Sequence, residues 1–259
     1  KRYSSYLMDC HLRLNTISTY MRMLRCIYNR GVDMHQTPYV HRMFRDVFTG
    51  IDTRQKKAIP INELHTLLNE DPQSDKLRRT QAIANLLFLF CGMPFVDLAY
   101  LEKSNLEGNM LKYNRAKTGI PMNVEILDSA ATIISQLRNK HTTVLPEHPD
   151  YLFYILSGKN KRSDEAGYKE YQSALRCFNN DLKSLARKLC IRSSVTSYTF
   201  RHSWATTAKY RGVPIEMISE SLGHKSIKTT QIYLKGFELS ERTKVNRLNY
   251  SYVMNFKTI

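Results

Sequence analysis

Apolar and polar residues alternate at period two in one part of this chain, Asn105–Asn114 and Pro121–Ile126, on either side of Lys117-Thr118-Gly119. Such short alternating runs around a Gly-containing turn read as a β-hairpin and its tip. Most of the remaining chain repeats at helical spacing, over Ile61–Leu68, Leu77–Cys91, Ser129–Asn139 and Tyr168–Cys190, with several shorter pieces after Tyr198. The expected fold is therefore mainly α with a small β-sheet or hairpin.

The first fifty residues read as short helices. The clearest starts at Asn15, a side chain suited to an N-cap, and runs to Arg30 with Gly31 as its stop. Ile17, Met21, Leu24, Ile27 and Tyr28 form its apolar face, and Arg22, Arg25 and Asn29 lie off that face. Thr53-Arg54-Gln55-Lys56-Lys57 is polar, basic and aperiodic, and Pro60 opens a new helix at its first turn. The sequence thus divides into a helical domain over 1–52, a linker at 53–57 and a larger α+β domain over 58–259. A tail from about residue 236 to 259 looks helical.

A formal charge of +16 over 259 residues favours a polyanionic partner. No apolar run approaches the roughly 18 residues of a membrane span, and no signal-peptide pattern is seen, so nucleic acid is the expected polyanion and the cytoplasm the expected location. Residues 1–57 carry eleven basic and four acidic side chains, a balance suited to a DNA clamp. Arg22, Arg25, Lys56 and Lys57 are candidate DNA contacts; for each alone the alternative is an ordinary solvated basic face. The five cysteines are odd in number and share no C-x-x-C spacing, so they read as reduced, mostly buried thiols. Gly158-Lys159 lacks the rest of a phosphate-binding loop and does not read as a nucleotide site.

The chemistry concentrates in residues 198–234. Tyr198-Thr-Phe-Arg201-His202-Ser-Trp-Ala is followed by Leu222-Gly223-His224, and nine residues after that histidine comes Tyr233 in Thr229-Thr-Gln-Ile-Tyr233. Here the chain resembles the tyrosine recombinases (phage-type integrases). Their signature is an H-x-x-R-H stretch, an L-G-H stretch and a nucleophilic tyrosine nine residues after its histidine. The resemblance extends over nearly the whole chain. It implies a helical core-binding domain followed by a catalytic domain, strand exchange through a 3′-phosphotyrosine on specific sites in double-stranded DNA, and a homo-tetramer with the tail contacting a neighbour. The style of Cys91-Gly-Met-Pro-Phe-Val-Asp-Leu-Ala-Tyr-Leu101 and Arg201-His-Ser-Trp-Ala is most similar to integrases of Bacteroides-type mobile elements.

A phosphodiester displacement requires a nucleophile, cationic donors around the phosphate and an acid for the departing 5′ oxygen. Tyr233 is the candidate nucleophile, Arg201 the donor to the phosphate oxygens, and His224 a donor to a non-bridging oxygen. Lys117, beside a tight turn, is the candidate acid. No cofactor and no metal are expected; the histidines near these motifs show no H-x-x-x-H spacing.

Two positions depart from the family pattern. Pro94 stands where the first arginine is expected, in Gly92-Met93-Pro94-Phe-Val-Asp97; proline fits a first helical turn but donates no hydrogen bond. Arg115, two residues before Lys117, is the candidate replacement if both lie on one face of a strand. Tyr198 stands at the usual first histidine and is read as an auxiliary hydrogen-bond donor. Asp97 is expected to orient a neighbouring side chain. Four alternatives accompany the recombinase reading. Gly223-His224 alone is also an ordinary helix end, Pro214–Tyr233 also reads as a helix-turn-helix, and the departures suit a catalytically silent DNA-binding relative. A type IB topoisomerase uses similar chemistry.

Overall fold

The computed structural model describes residues 2–50, 58–138, 150–234 and 239–254, and the chain divides into two compact units, Lys1–Gln55 and Lys56–Ile259. In the first unit Arg2–Asp9 (α1) packs on Leu14–Asp33 (α2). Ile17 and Met21 on α2 meet Leu7 on α1, with Val47 against them, and these side chains make the unit's core. The apolar stripe of α2 runs further than this packing, and Leu24 and Ile27 are exposed.

Both ends of α2 differ from the sequence expectation. Asn15 lies inside the helix, where its carbonyl accepts from the Thr19 hydroxyl at 2.9 Å, and Arg13 holds the N-cap position. The helix passes through Gly31, and the left-handed residue that ends it is His35, φ 55°, whose N–H bonds the Val32 carbonyl. A backbone hydrogen-bond pattern that closes about one turn later overrides the glycine's preference for a stop.

The second unit begins with Ile61–Asn69 (α3), Asp75–Leu89 (α4) and Phe95–Ala99 (α5). A three-stranded antiparallel sheet follows, of Leu106–Glu107 (β1), Met110–Asn114 (β2) and Pro121–Glu125 (β3), in the order β1-β2-β3. The run Asn105–Asn114 is therefore a hairpin in itself, because the chain reverses at Gly108, φ 60°. Then come Asp128–Leu137 (α6), Glu165–Lys188 (α7), Thr199–Tyr210 (α8), Ile215–Ser221 (α9), Ile227–Tyr233 (α10) and Leu239–Met254 (α11). Mostly helical with one small sheet, the fold is the one its patterning predicts.

Helix α4 is central: it packs against α3, α6, α7 and α8. Ile83, Ala84, Leu86 and Leu87 are all buried, which is why its apolar residues cover more than one face. Phe178 and Leu182 of α7, Phe200 of α8 and Leu111 of β2 complete that core. A second, smaller cluster of Ala205, Ile218, Leu222 and Leu234 ties α8, α9 and the end of α10 together.

The cysteines correct another expectation. Cys10, Cys26, Cys177 and Cys190 are exposed free thiols, and Cys91 is half-buried. The exposed four sit on or just past polar helix faces, which sequence spacing does not reveal. Among the described residues no helix is long and apolar enough to cross a membrane.

Candidate active site

Among the described residues Arg201 is the largest fully buried side chain, 1% exposed, on the first turn of α8. Burying a permanent cation demands hydrogen-bond acceptors, and the backbone supplies them. Its Nη1 donates to the Gly92 carbonyl at 2.9 Å, and Nη2 donates to the Leu222 carbonyl. Gly92, just past α4 and at φ +68°, permits this approach, since a Cβ there would lie 2.9 Å from the Arg201 Cα. The glycines of the C-G-M-P and L-G-H stretches thus lead the two carbonyl-bearing loops to one guanidinium.

The L-G-H stretch is a helix end with a defined geometry. Past α9, the Gly223 N–H bonds the Glu220 carbonyl at 2.8 Å and the His224 N–H bonds the Ser219 carbonyl at 3.0 Å, a Schellman closure. Gly223 has φ +62°, and a Cβ on it would lie 2.7 Å from Arg115 Cδ and 2.8 Å from Met122 Sδ. The helix-cap reading and the active-site reading of Gly223-His224 therefore describe the same feature: the cap sets where His224 stands.

The His224 ring is held from both sides. Its Nε2 lies 3.1 Å from Arg201 Nη2, and its Nδ1 lies 2.8 Å from the hydroxyl of Thr230, which is fully buried on α10. A guanidinium only donates, so Nε2 accepts here and the ring is neutral. Burial first, then Arg201, Arg115 and Lys117, pull the His224 pKa down to about 4. In this arrangement His224 presents a lone pair, where the sequence led us to expect a donor.

Arg115 and Lys117 both lie in the turn after β2, not in a strand, so their spacing of two does not put them on one face. The turn is closed by the Arg115 N–H to the Ile120 carbonyl at 2.9 Å and the Gly119 N–H to the Arg115 carbonyl at 2.8 Å. Arg115 points inward, 5% exposed, and its Nη1 pairs with Asp97 Oδ2 at 3.1 Å; Lys117 points to solvent. The other Asp97 oxygen accepts from the Ala116 N–H at 2.9 Å. Burial draws the Asp97 carboxyl above its usual range, opposed by that N–H and by the Arg115 cation. Asp97 on α5 thus orients Arg115 and its turn. The buried Arg115 Nε has no hydrogen-bond partner among the described residues.

Pro94 occupies the N-cap of α5, its carbonyl accepting from the Asp97 N–H at 3.0 Å. Tyr198 is the N-cap residue of α8, half exposed, with its ring edge-on to His202 at 5.0 Å between centroids. Tyr233 is the last residue of α10, and the next residue, Leu234, is anchored in the smaller core; the Tyr233 side chain lies outside the described residues. Arg22 and Arg25 are exposed on α2, and Lys56 and Lys57 lie outside the described residues.

Two positioning contacts were not foreseen from sequence. Thr118 donates its hydroxyl to the Gly223 carbonyl at 3.2 Å, fastening the β2–β3 turn to the L-G-H cap. Thr230 holds His224 as described. A threonine three positions before Tyr233 was the available signal, since residues three apart share a helix face. Groups from three elements therefore converge: Arg201 of α8, His224 past α9, and Arg115 with Lys117 in the β2–β3 turn. Three are cations and each depresses the charge of His224, so the site favours an anion. Among the described residues no group of three His, Cys, Asp or Glu side chains is placed to share a metal ion.

Comparison with known proteins agrees with this fold. Tyrosine recombinase XerA of Pyrococcus furiosus is 30% identical over 195 residues, covering 74% of this chain and 62% of the relative, so the chain spans about three fifths of that protein's length. The solved structure of XerH site-specific recombinase bound to palindromic difH substrate, a post-cleavage complex, superposes with a TM-score of 0.66 at 16% identity, covering 98% of this chain and 72% of that one. The Tn1549 transposon integrase in complex with transposon right end DNA gives 0.63 at 13% identity, covering 96% and 84%. With both glycine-built loops, the buried arginine and the L-G-H cap inside residues 57–238, the span matched by the sequence model of the phage integrase family, the chain belongs to that family.

Proposed function

We propose that this protein is a site-specific DNA recombinase that cleaves and rejoins strands through a 3′-phosphotyrosine on Tyr233. The observation that carries the reading is the convergence of Arg201, Arg115 and the Lys117 turn around one neutral histidine, on the surface from which α10 leads to Tyr233. In the proposed step the Tyr233 oxygen attacks the phosphorus and the bond to the 5′ oxygen breaks. Lys117 delivers a proton to that oxygen, and the Nε2 lone pair of His224 takes the phenolic proton. Once protonated, Nε2 donates to a non-bridging oxygen, the role expected from sequence. Arg201 neutralises the developing charge, and Tyr198 is an auxiliary donor. The 5′-hydroxyl of a second strand reverses the step; the covalent link conserves the bond energy, so no nucleotide cofactor is consumed.

The unit Lys1–Gln55 serves as a core-binding clamp on double-stranded DNA through Arg22 and Arg25, and Lys56 and Lys57 of the linker that follows also contact phosphates, where contacts set affinity more than sequence preference. We assign the active assembly as a homo-tetramer contacting neighbours through the tail that contains α11, in the cytoplasm, and the source as a mobile element of the Bacteroides type. The structural likeness to a transposon integrase favours the mobile-element part of that assignment, and the style of Cys91–Leu101 and Arg201–Ala205 suggests its Bacteroides type.

Arg115 replaces the arginine missing at Pro94. Its burial beside His224, its pairing with Asp97 and its unpartnered Nε support this role. Arg115→Ala is expected to slow cleavage by about 10²–10³ while leaving DNA affinity nearly unchanged; cleavage near the wild-type rate would sink the assignment. The whole reading is tested with nicked suicide DNA carrying a candidate recombination site. The expected product is a protein–DNA adduct that survives denaturation and maps by peptide mass spectrometry to Tyr233. Tight, salt-sensitive binding without an adduct on any site would favour a silent DNA-binding protein instead.

A further inference from the structure

Thr230 has no part in the reaction as derived so far, yet its hydroxyl is the second polar partner of the His224 ring. We propose that Thr230 is a positioning residue that fixes the His224 tautomer, making Nε2 the ring nitrogen that works on the phosphate. The inference rests on the recombinase reading of His224 given above.

Arg201 Nη2, 3.1 Å from Nε2, is a donor only, so Nε2 carries no proton in the unliganded protein. A neutral imidazole then bears its proton on Nδ1, and the group facing Nδ1, 2.8 Å away, is Thr230 Oγ1 acting as acceptor. Thr230 is fully buried, which shields this bond from competing solvent. The charged groups felt by the ring are Arg201 from α8 and Arg115 and Lys117 from the β2–β3 turn, all cations, so none of them can accept the Nδ1 proton. Arg201 keeps the proton off Nε2, and the threonine oxygen is the acceptor in this set that satisfies the resulting Nδ1–H.

The position of the threonine adds a second consequence. Helix α10 is capped by Ser226, whose hydroxyl accepts from the Lys228 N–H at 3.3 Å, and is followed by Leu234 in the core. Thr230 and Tyr233 are three positions apart on this short helix. The bond to His224 therefore ties the helix of the nucleophile to the L-G-H cap, so that ring orientation and nucleophile placement are set together. Partners of this kind typically change activity by about 10–100-fold when removed from a histidine that does chemistry.

The test uses the whole chain, with ¹⁵N-labelled histidine and a nicked DNA substrate. Imidazole nitrogen shifts should report Nδ1–H for His224 in the wild-type protein and in Thr230→Ser. In Thr230→Val the preference should be weakened, Arg201 alone opposing Nε2–H, with cleavage slowed about 10–100-fold at unchanged DNA affinity, whereas Thr230→Ser should cleave at the wild-type rate. Three results would each overturn the proposal: Nε2–H in the wild type, wild-type cleavage by the valine variant, or slow cleavage with its tautomer unchanged. If the valine variant does not fold, the wild-type tautomer and the serine variant still decide. Absence of any wild-type adduct would overturn the recombinase reading, a result separate from the tautomer.

Discussion

Tyr233→Phe is expected to abolish the covalent protein–DNA adduct and to leave both folding and DNA binding intact. The substitution removes one oxygen and no ring carbon, so whatever packing the ring makes is retained. The backbone that carries it is fixed independently: the Leu234 N–H bonds the Thr230 carbonyl at 2.7 Å, and the Leu234 side chain is buried with Ala205, Ile218 and Leu222. Affinity for DNA comes from phosphate contacts by cations spread over the surface, and these set the salt dependence. A phenol lost from a covalent mechanism has no substitute, because a water attack would release free DNA ends and leave no protein on the strand. The measurement is a denaturing gel of a nicked-substrate reaction beside a salt titration of binding. An adduct persisting in Tyr233→Phe would place the nucleophile elsewhere; loss of binding together with the adduct would show the hydroxyl to be structural.

Where local pattern decides structure, the sequence could be read closely. Period-two alternation located the sheet, and helical periodicity found α3, α4, α6 and α7 with ends shifted by a few residues. L-G-H could be recognised twice, as a helix end and as a family motif, and both readings meet in Gly223. Tertiary facts were hidden. Nothing in the spacing of Arg201 says that its guanidinium is engulfed by the Gly92 and Leu222 carbonyls, contributed by loops 109 and 21 residues away. The Arg115–Lys117 argument failed because a strand was assumed where the chain turns; a six-residue stretch closed by Arg115 and Ile120 points one cation in and the other out. Thr230 escaped because a threonine inside a helix is ordinary until its partner in space is known. The exposed cysteines make the converse point: residue type predicts burial on average, and single positions on polar helix faces depart from it.

Arg201→Ala is expected to damage stability and catalysis together, and the order of events separates the two. Truncation leaves the Gly92 and Leu222 carbonyls buried without their donor, each costing about 1–3 kcal/mol. It also opens a cavity at a large, fully buried side chain. A net loss on the order of 4 kcal/mol follows, enough to lower the midpoint of thermal unfolding by roughly 10 °C for a domain of this size. Arg201→Lys should recover part of this, because an ammonium reaches one carbonyl but cannot bridge two in a plane as the guanidinium does. In Arg201→Ala, cleavage measured well below the unfolding midpoint should still fall by about 10²–10³, the loss of a cationic donor to the phosphate. Thermal unfolding followed by circular dichroism, with cleavage assayed at low temperature, reads the two effects apart. An unchanged midpoint would mean that the carbonyls find other partners and the arginine is not a structural clamp. A lowered midpoint with wild-type cleavage would confine Arg201 to that clamp and pass the phosphate to Arg115 and Lys117. The expected double loss reflects one economy in the fold: the side chain that holds the two glycine loops together is the one those loops aim at the substrate.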